Sequence, residues 1–301
     1  MIYDTTIIGA GPAGINATIY AARKGMKVMV ISKDIGGQVS KVSIIENYIG
    51  YQEITGTELS KKFNDHLNKF NFDFKQTEIT NIKKSDDLFE IQTDSENISS
   101  KTVIIATGAR AKELNIPGEK EFKNKGVTYC ATCDAPLFRG KNVAVIGGGN
   151  SALESSLQLS TIASRVYMIN KDESFSGDKI LSDKLSKNDK IEILYNAQVK
   201  EIDGDRFVES LKLQQYNKTK QIKVQGVFVE IGYKPNTSFL QNLLKLNSNE
   251  EIEIDSFGRT SKKGIFASGD CTNVPYKQII IASGAGAIAA ISAFNYLAKE
   301  K

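Results

Sequence analysis

The fold class that the sequence predicts is α/β, and three observations predict it. An apolar run at the amino terminus leads into the glycine-rich turn GAGPAG (9–14), a helical pattern and a second apolar run, KVMVIS (27–32). The same order recurs around the turn GGGNSA (147–152), which a helical pattern and VYMIN (166–170) follow. Breaks at Pro117-Gly118 and within IGYKPNT (231–237) flank the second unit. The chain therefore contains two strand–turn–helix–strand units.

The first turn has glycine at the three positions that a dinucleotide-binding turn requires. Gly9 allows the tight turn, Gly11 lets the backbone approach a pyrophosphate, and Gly14 lets the helix and the strand pack closely. The amino terminus of the helix attracts the negative charge of the phosphates. A glycine-rich turn in an ordinary α/β domain is the alternative, but the flanking strands and helix favour dinucleotide binding.

The second turn, Gly147-x-Gly149-x-x-Ala152, repeats this arrangement 138 residues later, counted from Gly9 to Gly147. One such unit is a weak signal, whereas two in one chain are specific. Two Rossmann-like units indicate an enzyme that holds two dinucleotides and passes electrons between them.

The composition excludes several other classes of protein. Of the 301 residues, 41% are hydrophobic and 25% are charged, and the net charge is +4. The chain has no basic stripe with interleaved aromatic residues, so we expect no nucleic-acid partner. It has no charged-then-apolar leader, and we find no apolar run approaching the ~18 residues that span a membrane. We therefore expect a cytoplasmic protein without a membrane partner.

Three chemistries use a cysteine pair such as Cys130 and Cys133 in YCATCDAP (129–136). A zinc site needs four ligands, and the chain offers only one more cysteine, Cys271, and one histidine, His66, both far away in sequence. We interpret His66 as a surface residue of a polar helix and Cys271 as a packing residue. A permanent structural disulfide is unusual in a cytosolic chain. Because nucleotide motifs flank the pair, we predict a redox-active disulfide and no metal site.

Seven short motifs together resemble the low-molecular-weight thioredoxin reductases. They are GAGPAG (9–14), GGQ (36–38), ENY (46–48), ATGA (106–109), CATCD (130–134), GGGNSALE (147–154) and GDCT (269–272). The chain is also very similar to the flavoprotein portion of alkyl hydroperoxide reductase, above all in residues 270–297. The resemblance extends from Asp4 to about Leu297.

This resemblance implies a flavin disulfide reductase with two Rossmann-like domains of the three-layer ββα type. A pyridine-nucleotide domain, residues 116–234, is expected to be inserted into a discontinuous FAD domain, residues 1–115 and 235–301. Such proteins are usually homodimers. The peroxide-system flavoprotein normally carries an additional amino-terminal thioredoxin-like part, and this sequence begins at the flavin fold. We therefore expect a stand-alone reductase of a small thioredoxin-like protein, with service to a peroxiredoxin system as the alternative.

The resemblance also implies roles for the redox residues. Cys133 is expected to face the flavin, Cys130 to exchange with the protein substrate, and Asp134 to supply a proton to the leaving sulfur. Thiol–disulfide exchange proceeds by thiolate attack through a mixed disulfide, so such a proton donor matters. A turn residue before Ala135-Pro136 is the alternative interpretation of Asp134.

Two further sets of residues are assigned by resemblance. Asp270 is expected near the ribityl chain or the phosphates, and the backbone N–H of Gln278 near the pyrimidine edge of the flavin, where a helix amino terminus favours negative charge. The expected FAD residues are Gly9, Gly11, Pro12, Ala13, Gly14, Gln38, Asn47, Thr107, Gly108, Gly269, Asp270, Lys277, Gln278 and Ile279. The expected residues for the nicotinamide dinucleotide are Gly147, Gly149, Asn150, Ser151, Ala152, Asn170 and Lys171.

The electron donor stays open because the phosphate-binding pattern is broken. Relatives specific for NADPH carry His-Arg-Arg and a further Arg after the second strand, where this chain has Asn170, Lys171, Asp172 and Ser176. Lysine cannot replace bidentate arginines on a 2′-phosphate. We expect NADH as the donor, then NADPH bound through Lys171. Another electron carrier is a third candidate, against which the intact glycine turn argues.

Overall fold

The structure, a computed structural model, describes residues 1–42, 45–85, 87–240 and 242–299. The chain divides into two compact units, Met1–Arg110 with Lys234–Lys301, and Ala111–Tyr233. The second unit is inserted into the sequence of the first, as expected. The assignment of residues 1–115 and 235–301 to FAD, and of residues 116–234 to the pyridine nucleotide, stays a prediction.

The secondary structure alternates strands with helices along most of the chain. The strands are β1 (Ile2–Ile8), β2 (Val28–Ser32), β3 (Asp73–Gln76), β4 (Ile79–Ser85), β5 (Leu88–Thr93), β6 (Asn97–Ile105), β7 (Ala109–Ala111), β8 (Val127–Thr128), β9 (Asn142–Ile146), β10 (Arg165–Ile169), β11 (Ile191–Leu194), β12 (Ala197–Gly204), β13 (Val208–Gln215), β14 (Lys218–Lys223), β15 (Gly226–Val229), β16 (Tyr233–Pro235) and β17 (Ile265–Ala267). The helices are α1 (Pro12–Arg23), α2 (Gly56–Leu67), α3 (Ala131–Asp134), α4 (Asn150–Ser160), α5 (Lys179–Ser186) and α6 (Ile279–Lys299).

The first unit is built on a seven-stranded sheet in the order β3-β2-β1-β6-β5-β4, with β17 also paired to β6. Strands β1, β2, β3, β6 and β17 are parallel, whereas β4, β5 and β6 pair in antiparallel fashion. Ile7 of β1 pairs with Ile104 of β6, and both are fully buried. Parallel strands covered on both faces read as continuous apolar runs, which is the pattern in these sequences.

Helix α6 packs closely on α1 because small residues line its contact. A Cβ atom on Gly286 would lie 2.0 Å from the carbonyl oxygen of Ala13, so only glycine fits there. Helix α6 is also long and apolar. It has 21 residues, and its most apolar 18-residue segment has a mean hydropathy of 1.6 and is 33% buried. By length and composition alone it could cross a membrane. The expectation that no apolar run approaches the ~18 residues of a membrane span is therefore wrong. The alanines that allow α6 to pack closely on α1 are also apolar, so they lengthen the apolar segment.

The second unit contains a five-stranded parallel sheet in the order β11-β10-β9-β15-β8. Strands β12, β13 and β14 form a separate antiparallel sheet. In a parallel sheet the carboxyl ends of all strands lie at one edge, where ligands usually bind. The cysteine pair follows β8, the second glycine turn follows β9, and Glu230 follows β15. The strand order therefore brings these three features to one edge.

Candidate active site

The first glycine turn has the packing that its sequence predicts. Gly9 has φ +104°, and a Cβ there would lie 2.3 Å from the carbonyl oxygen of Ala106. A Cβ on Gly14 would lie 1.8 Å from the carbonyl oxygen of Gly9. Around Gly11, in contrast, no atom of the described residues other than its chain neighbours lies within 4 Å of a built Cβ. Two glycines thus hold strand against helix, and the third borders open space.

That open space lies at the amino terminus of α1. The helix starts at Pro12, its N-cap is Gly11, no side chain caps it, and its first turn contains no acidic residue. The first amides of a helix lack intrahelical acceptors and carry the positive end of the helix dipole. A pyrophosphate fits these requirements in both charge and space.

Gly269 and Asp270 lie beside the same helix end. Gly269 has φ +76°, and a Cβ there would lie 2.9 Å from the Cβ of Ala13. Burial raises the pKa of Asp270, and the nearby Lys277 partly offsets this effect. The Lys277 ammonium forms an ion pair with Glu251 Oε1 at 2.8 Å. The positive charge of Lys277 is thus paired with a carboxylate of the protein.

Several other predicted FAD residues already have partners in the first unit. The hydrogen bonds run from Gln38 Nε2 to the Ala109 carbonyl, from Asn47 Nδ2 to Gln278 Oε1 (3.2 Å), and from Thr107 Oγ1 to the Asn236 carbonyl (2.8 Å). Gly108 has φ +67° and no neighbour within 4 Å of a built Cβ, and Ile279 is the first residue of α6. The open turn, the uncapped helix and Gly269 fit FAD, while the individual contacts stay predictions.

Cys130 and Cys133 form a disulfide in the second unit, with their Cα atoms 5.3 Å apart. Cys130 directly precedes the short helix α3, and the Cys133 N–H donates to Cys130 Sγ at 3.2 Å. Both cysteines are half-buried. The pair therefore lies at the surface of the fold, where a second thiol can reach it.

Asp134 ends α3, directly after Cys133. Its Oδ2 accepts a hydrogen bond from Thr128 Oγ1. Burial raises the pKa of the Asp134 carboxyl, and the Thr128 hydrogen bond lowers it by a smaller amount. A carboxyl that holds its proton more strongly than usual, next to a disulfide, has the chemistry of a proton donor.

Glu230 is a half-buried acid at this edge that the sequence analysis did not identify. Its Oε1 accepts hydrogen bonds from Ser155 Oγ (3.0 Å) and from the Ala131 N–H (3.3 Å). Burial raises the pKa of Glu230 to about 7, although both hydrogen bonds act in the opposite direction. The available signal was an acidic residue directly after the apolar run GVFV (226–229).

The second glycine turn has the same plan as the first. A Cβ on Gly147 (φ +147°) would lie 2.3 Å from the Glu230 carbonyl oxygen and 3.0 Å from the Cβ of Ala152. Around Gly149 the nearest atom to a built Cβ is Ser176 Oγ at 3.9 Å. Helix α4 begins with Asn150 and Ser151, has no side-chain cap, and has no acidic residue in its first turn. This geometry fits a second pyrophosphate.

The loop after β10 folds back onto this turn. The N–H groups of Ser176 and Gly177 both donate to the Gly148 carbonyl, at 2.9 and 3.0 Å. The Asn150 amide exchanges two hydrogen bonds with Asp178, one to its carboxylate (3.1 Å) and one from its backbone (2.7 Å). The predicted dinucleotide residue Asn150 is thus also a structural link to this loop.

Asn170 and Lys171 differ in orientation. Asn170 is 2% exposed, and its Nδ2 donates to the Ser174 carbonyl at 2.7 Å. Its amide also packs on Gly148, where a Cβ would lie 2.6 Å from Asn170 Oδ1. Lys171 and Asp172 are exposed. Asn170 therefore stabilises the loop and the glycine turn, and its predicted role in binding the nicotinamide dinucleotide stays a prediction.

The remaining candidates for chemistry have ordinary environments. No group of three or more metal-ligating side chains occurs among the residues that the structure describes. His66 lies in the last turn of α2, and its ring centre lies 5.7 Å from that of Phe70. Cys271 is fully buried, and this burial raises the pKa of its thiol. A buried, protonated thiol is a poor nucleophile, which agrees with a packing role.

Comparison with known proteins identifies the class to which this fold and site belong. The family model described as pyridine nucleotide-disulphide oxidoreductase matches residues 3–286. The chain belongs to this family, and it is an oxidoreductase with the predicted two-domain α/β fold. FAD and a nicotinamide dinucleotide, the two cofactors expected from the sequence, are those of this class.

Three individual proteins illustrate the similarity. A thioredoxin reductase structure from Streptococcus pyogenes MGAS5005 superposes with a TM-score of 0.93, at 37% identity over 99% of both chains. An NADH dehydrogenase of Bacillus subtilis is 41% identical over 99% of this chain and 59% of its own. A subunit of the alkyl hydroperoxide reductase of Pseudomonas aeruginosa is 41% identical over 98% of this chain and 58% of its own. The chain thus spans less than two thirds of these last two relatives.

Proposed function

We propose that this protein is an FAD-dependent disulfide reductase of the thioredoxin reductase type. The observation that carries the proposal is the Cys130–Cys133 disulfide, followed by the half-buried acid Asp134, at the same sheet edge as a dinucleotide-type turn. In this reaction a reduced nicotinamide dinucleotide provides two electrons, which pass through the flavin and the disulfide to a thioredoxin-like protein. A disulfide accepts electrons as a pair, which matches two-electron delivery.

Three residues of the CATCD segment have different roles in this reaction. Bound FAD would supply the reversible store for two electrons. Cys133 takes the flavin-facing role, and Cys130 attacks the disulfide of the protein substrate as a thiolate. Asp134 gives its proton to the leaving sulfur, because burial keeps that carboxyl protonated to a higher pH than an exposed one.

NADH is the proposed donor. A 2′-phosphate requires closely placed cations, and Lys171 is the one cation among the four positions compared above. Asn170 is buried and hydrogen-bonded to its own loop, so it offers no charge to a phosphate. NADPH bound through Lys171 is the second candidate. A separate electron carrier is the third, and the open space at Gly149 argues against it.

The partner is a small thioredoxin-like redox protein, and the active form is a cytoplasmic homodimer. The similarity to a subunit of alkyl hydroperoxide reductase favours a second candidate for the same chemistry, the supply of electrons to a peroxiredoxin-type system. Both partners present a disulfide that a partly accessible thiol can attack, so the half-buried Cys130 can serve either partner.

An anaerobic titration tests the proposal. The purified protein should be yellow, and NADH should bleach its flavin band at lower concentration than NADPH. Adding an oxidised thioredoxin-like protein should restore the band through turnover. A colourless protein that does not take up FAD, or a Cys133→Ser variant that still reduces its partner at the normal rate, contradicts the proposal.

A further inference from the structure

Glu230 joins the cysteine pair to the second dinucleotide turn. Its backbone N–H donates to the Ile146 carbonyl at 2.8 Å, and its own carbonyl packs on Gly147. Its carboxylate accepts from Ser155 of α4 and from the amide of Ala131. Glu230 is thus fixed at both its backbone and its side chain, between three elements of one sheet edge.

The Ala131 amide is part of the redox-active turn. Ala131 is the first residue of α3, directly after Cys130, and Cys130 Sγ accepts from the Cys133 N–H. A carboxylate on the Ala131 amide therefore places a negative charge next to the segment that becomes negatively charged when a thiolate forms. Two nearby negative charges disfavour each other, so each raises the pKa of the other group.

No basic residue on the surrounding elements neutralises this charge. Elements α3, α4, β8, β9 and β15 contain neither lysine nor arginine. The titratable groups on or near these elements are Asp134, the exposed Glu154, Lys125 and Lys141 (which precede β8 and β9), Lys112 (whose Nζ lies 3.9 Å from a Cβ built on Gly232), Tyr129 (whose hydroxyl donates to Glu119) and Tyr233 (whose hydroxyl donates to the Tyr129 carbonyl). Among the described residues, none of these lysines forms an ion pair with Glu230, and none contributes to the shift of its pKa. Glu209 on β13 lies at the opposite, amino-terminal end of β15, where its carbonyl accepts from Val224. The hydroxyl groups of Tyr129 and Tyr233 thus donate to Glu119 and to the Tyr129 carbonyl, not to Glu230.

We propose that Glu230 is a positioning residue that couples the uptake of one proton to reduction of the Cys130–Cys133 disulfide. The inference deepens the proposed function and rests on the redox role of the cysteine pair. Burial already raises the pKa of this carboxyl to about 7, so a modest further rise on thiolate formation changes its protonation near neutral pH.

The step balances in electrons and protons. Two electrons, from a dihydroflavin or a dithiol, break the S–S bond, and one proton converts one sulfur to a thiol. The other sulfur stays a thiolate, and the Glu230 carboxylate takes a second proton from water. When a disulfide substrate reoxidises the pair, these two protons leave with the two thiols of the product.

A redox equilibrium at several pH values tests the coupling. The flavoprotein is equilibrated with reduced and oxidised dithiothreitol between pH 6 and 8.5, thiols are trapped, and alkylated Cys130 and Cys133 are counted by mass spectrometry. Above pH 7, reduction by dithiothreitol should release one proton in Glu230→Gln, whose equilibrium constant should rise by up to tenfold per pH unit. The wild type takes up that proton on Glu230, so its equilibrium constant should stay nearly flat over the same range. Equal slopes would overturn the inference.

Two further variants make the result specific. Glu154→Gln removes an exposed carboxyl from α4, close in sequence to Ser155, and should keep the wild-type slope. Ser155→Ala removes a hydrogen bond that lowers the pKa of Glu230, so the pH region in which the equilibrium constant stays flat should move to higher pH. An unmoved region would refute the inference even if Glu230→Gln does not fold. The equilibrium with dithiothreitol needs no protein substrate. If the protein reduces no thioredoxin-like protein but Glu230 still takes up a proton when the disulfide is reduced, only the proposed function is refuted.

Discussion

Two glycine-to-alanine substitutions in one turn should separate cofactor binding from folding. Gly11→Ala adds a methyl group where no protein atom lies within 4 Å, and the backbone at Gly11 (φ −79°, ψ −173°) suits alanine. Gly14→Ala adds the same methyl group 1.8 Å from the carbonyl oxygen of Gly9. The first change therefore perturbs the space for a ligand, and the second perturbs the protein itself.

The expected magnitudes follow from these distances. Ordinary contact of a Cβ starts at 3.4 Å, so Gly14→Ala falls short by 3.4 − 1.8 Å, about 1.6 Å, and α1 must move away from β1. Overpacking of this kind costs ~1–3 kcal/mol or more of unfolding free energy. Alanine at an N-cap costs about 1 kcal/mol or less relative to glycine. In Gly11→Ala the methyl group instead occupies the approach of the pyrophosphate, and FAD affinity should fall at least about tenfold, ~1.4 kcal/mol.

Two measurements distinguish these effects. Urea unfolding of the apoprotein gives the stability of each variant, and quenching of FAD fluorescence gives its affinity. Gly11→Ala should unfold close to the wild type and bind FAD weakly, whereas Gly14→Ala should be clearly destabilised before any ligand is added. Wild-type FAD affinity in Gly11→Ala would refute the assignment of this turn to the pyrophosphate.

Further predictions concern the redox segment and the second turn. Cys133→Ser should keep FAD and its reduction by NADH but lose disulfide reduction, as seen by comparing flavin bleaching with thiol release. Asp134→Asn should slow thiol release about 100-fold, and it should remove the fall in wild-type rate as pH rises through the raised pKa of Asp134; an unchanged pH profile contradicts the acid role. Gly149→Ala should weaken NADH binding without weakening FAD binding, measured by separate titrations. The pKa of Glu230 is about 7 in the folded protein against an ordinary 4.5, so its contribution to stability is present below pH 4.5 and is lost as pH rises through about 7. Glu230→Gln should therefore be more stable than the wild type at pH 8, by up to about 3 kcal/mol, but not at pH 4.5, in urea unfolding.

The parts of the site that could be predicted from sequence are those with a local physical cause. A tight turn and a close strand–helix contact each require glycine at a fixed spacing, so the packing roles of Gly9 and Gly14 could be predicted from the sequence. The role of Gly11 in approaching a phosphate stays a prediction. The break at 231–237 was likewise marked by proline and glycine, and the division between Tyr233 and Lys234 falls within it, whereas the other division follows Arg110 and precedes Pro117-Gly118. The apolar length of α6 was missed, because its alanines and glycines read as a packing surface and were not counted as a continuous apolar run.

Other features depend on which strands become neighbours, and no local pattern encodes that choice. Strand β15 comes last in the second unit, yet it lies between β9 and β8 in the sheet. This placement puts the carboxyl end of β15 against the glycine turn and the cysteine pair at once, and only then does Glu230 meet Ala131. Asn170, expected among the dinucleotide residues, has a side chain that turns inward to the Ser174 carbonyl of its own loop. At this sheet edge, the sequence spacing therefore predicts the backbone conformation of the glycine turn. The position of Glu230 beside the cysteine pair, and with it the raised pKa of its carboxyl, depends on the order of the strands.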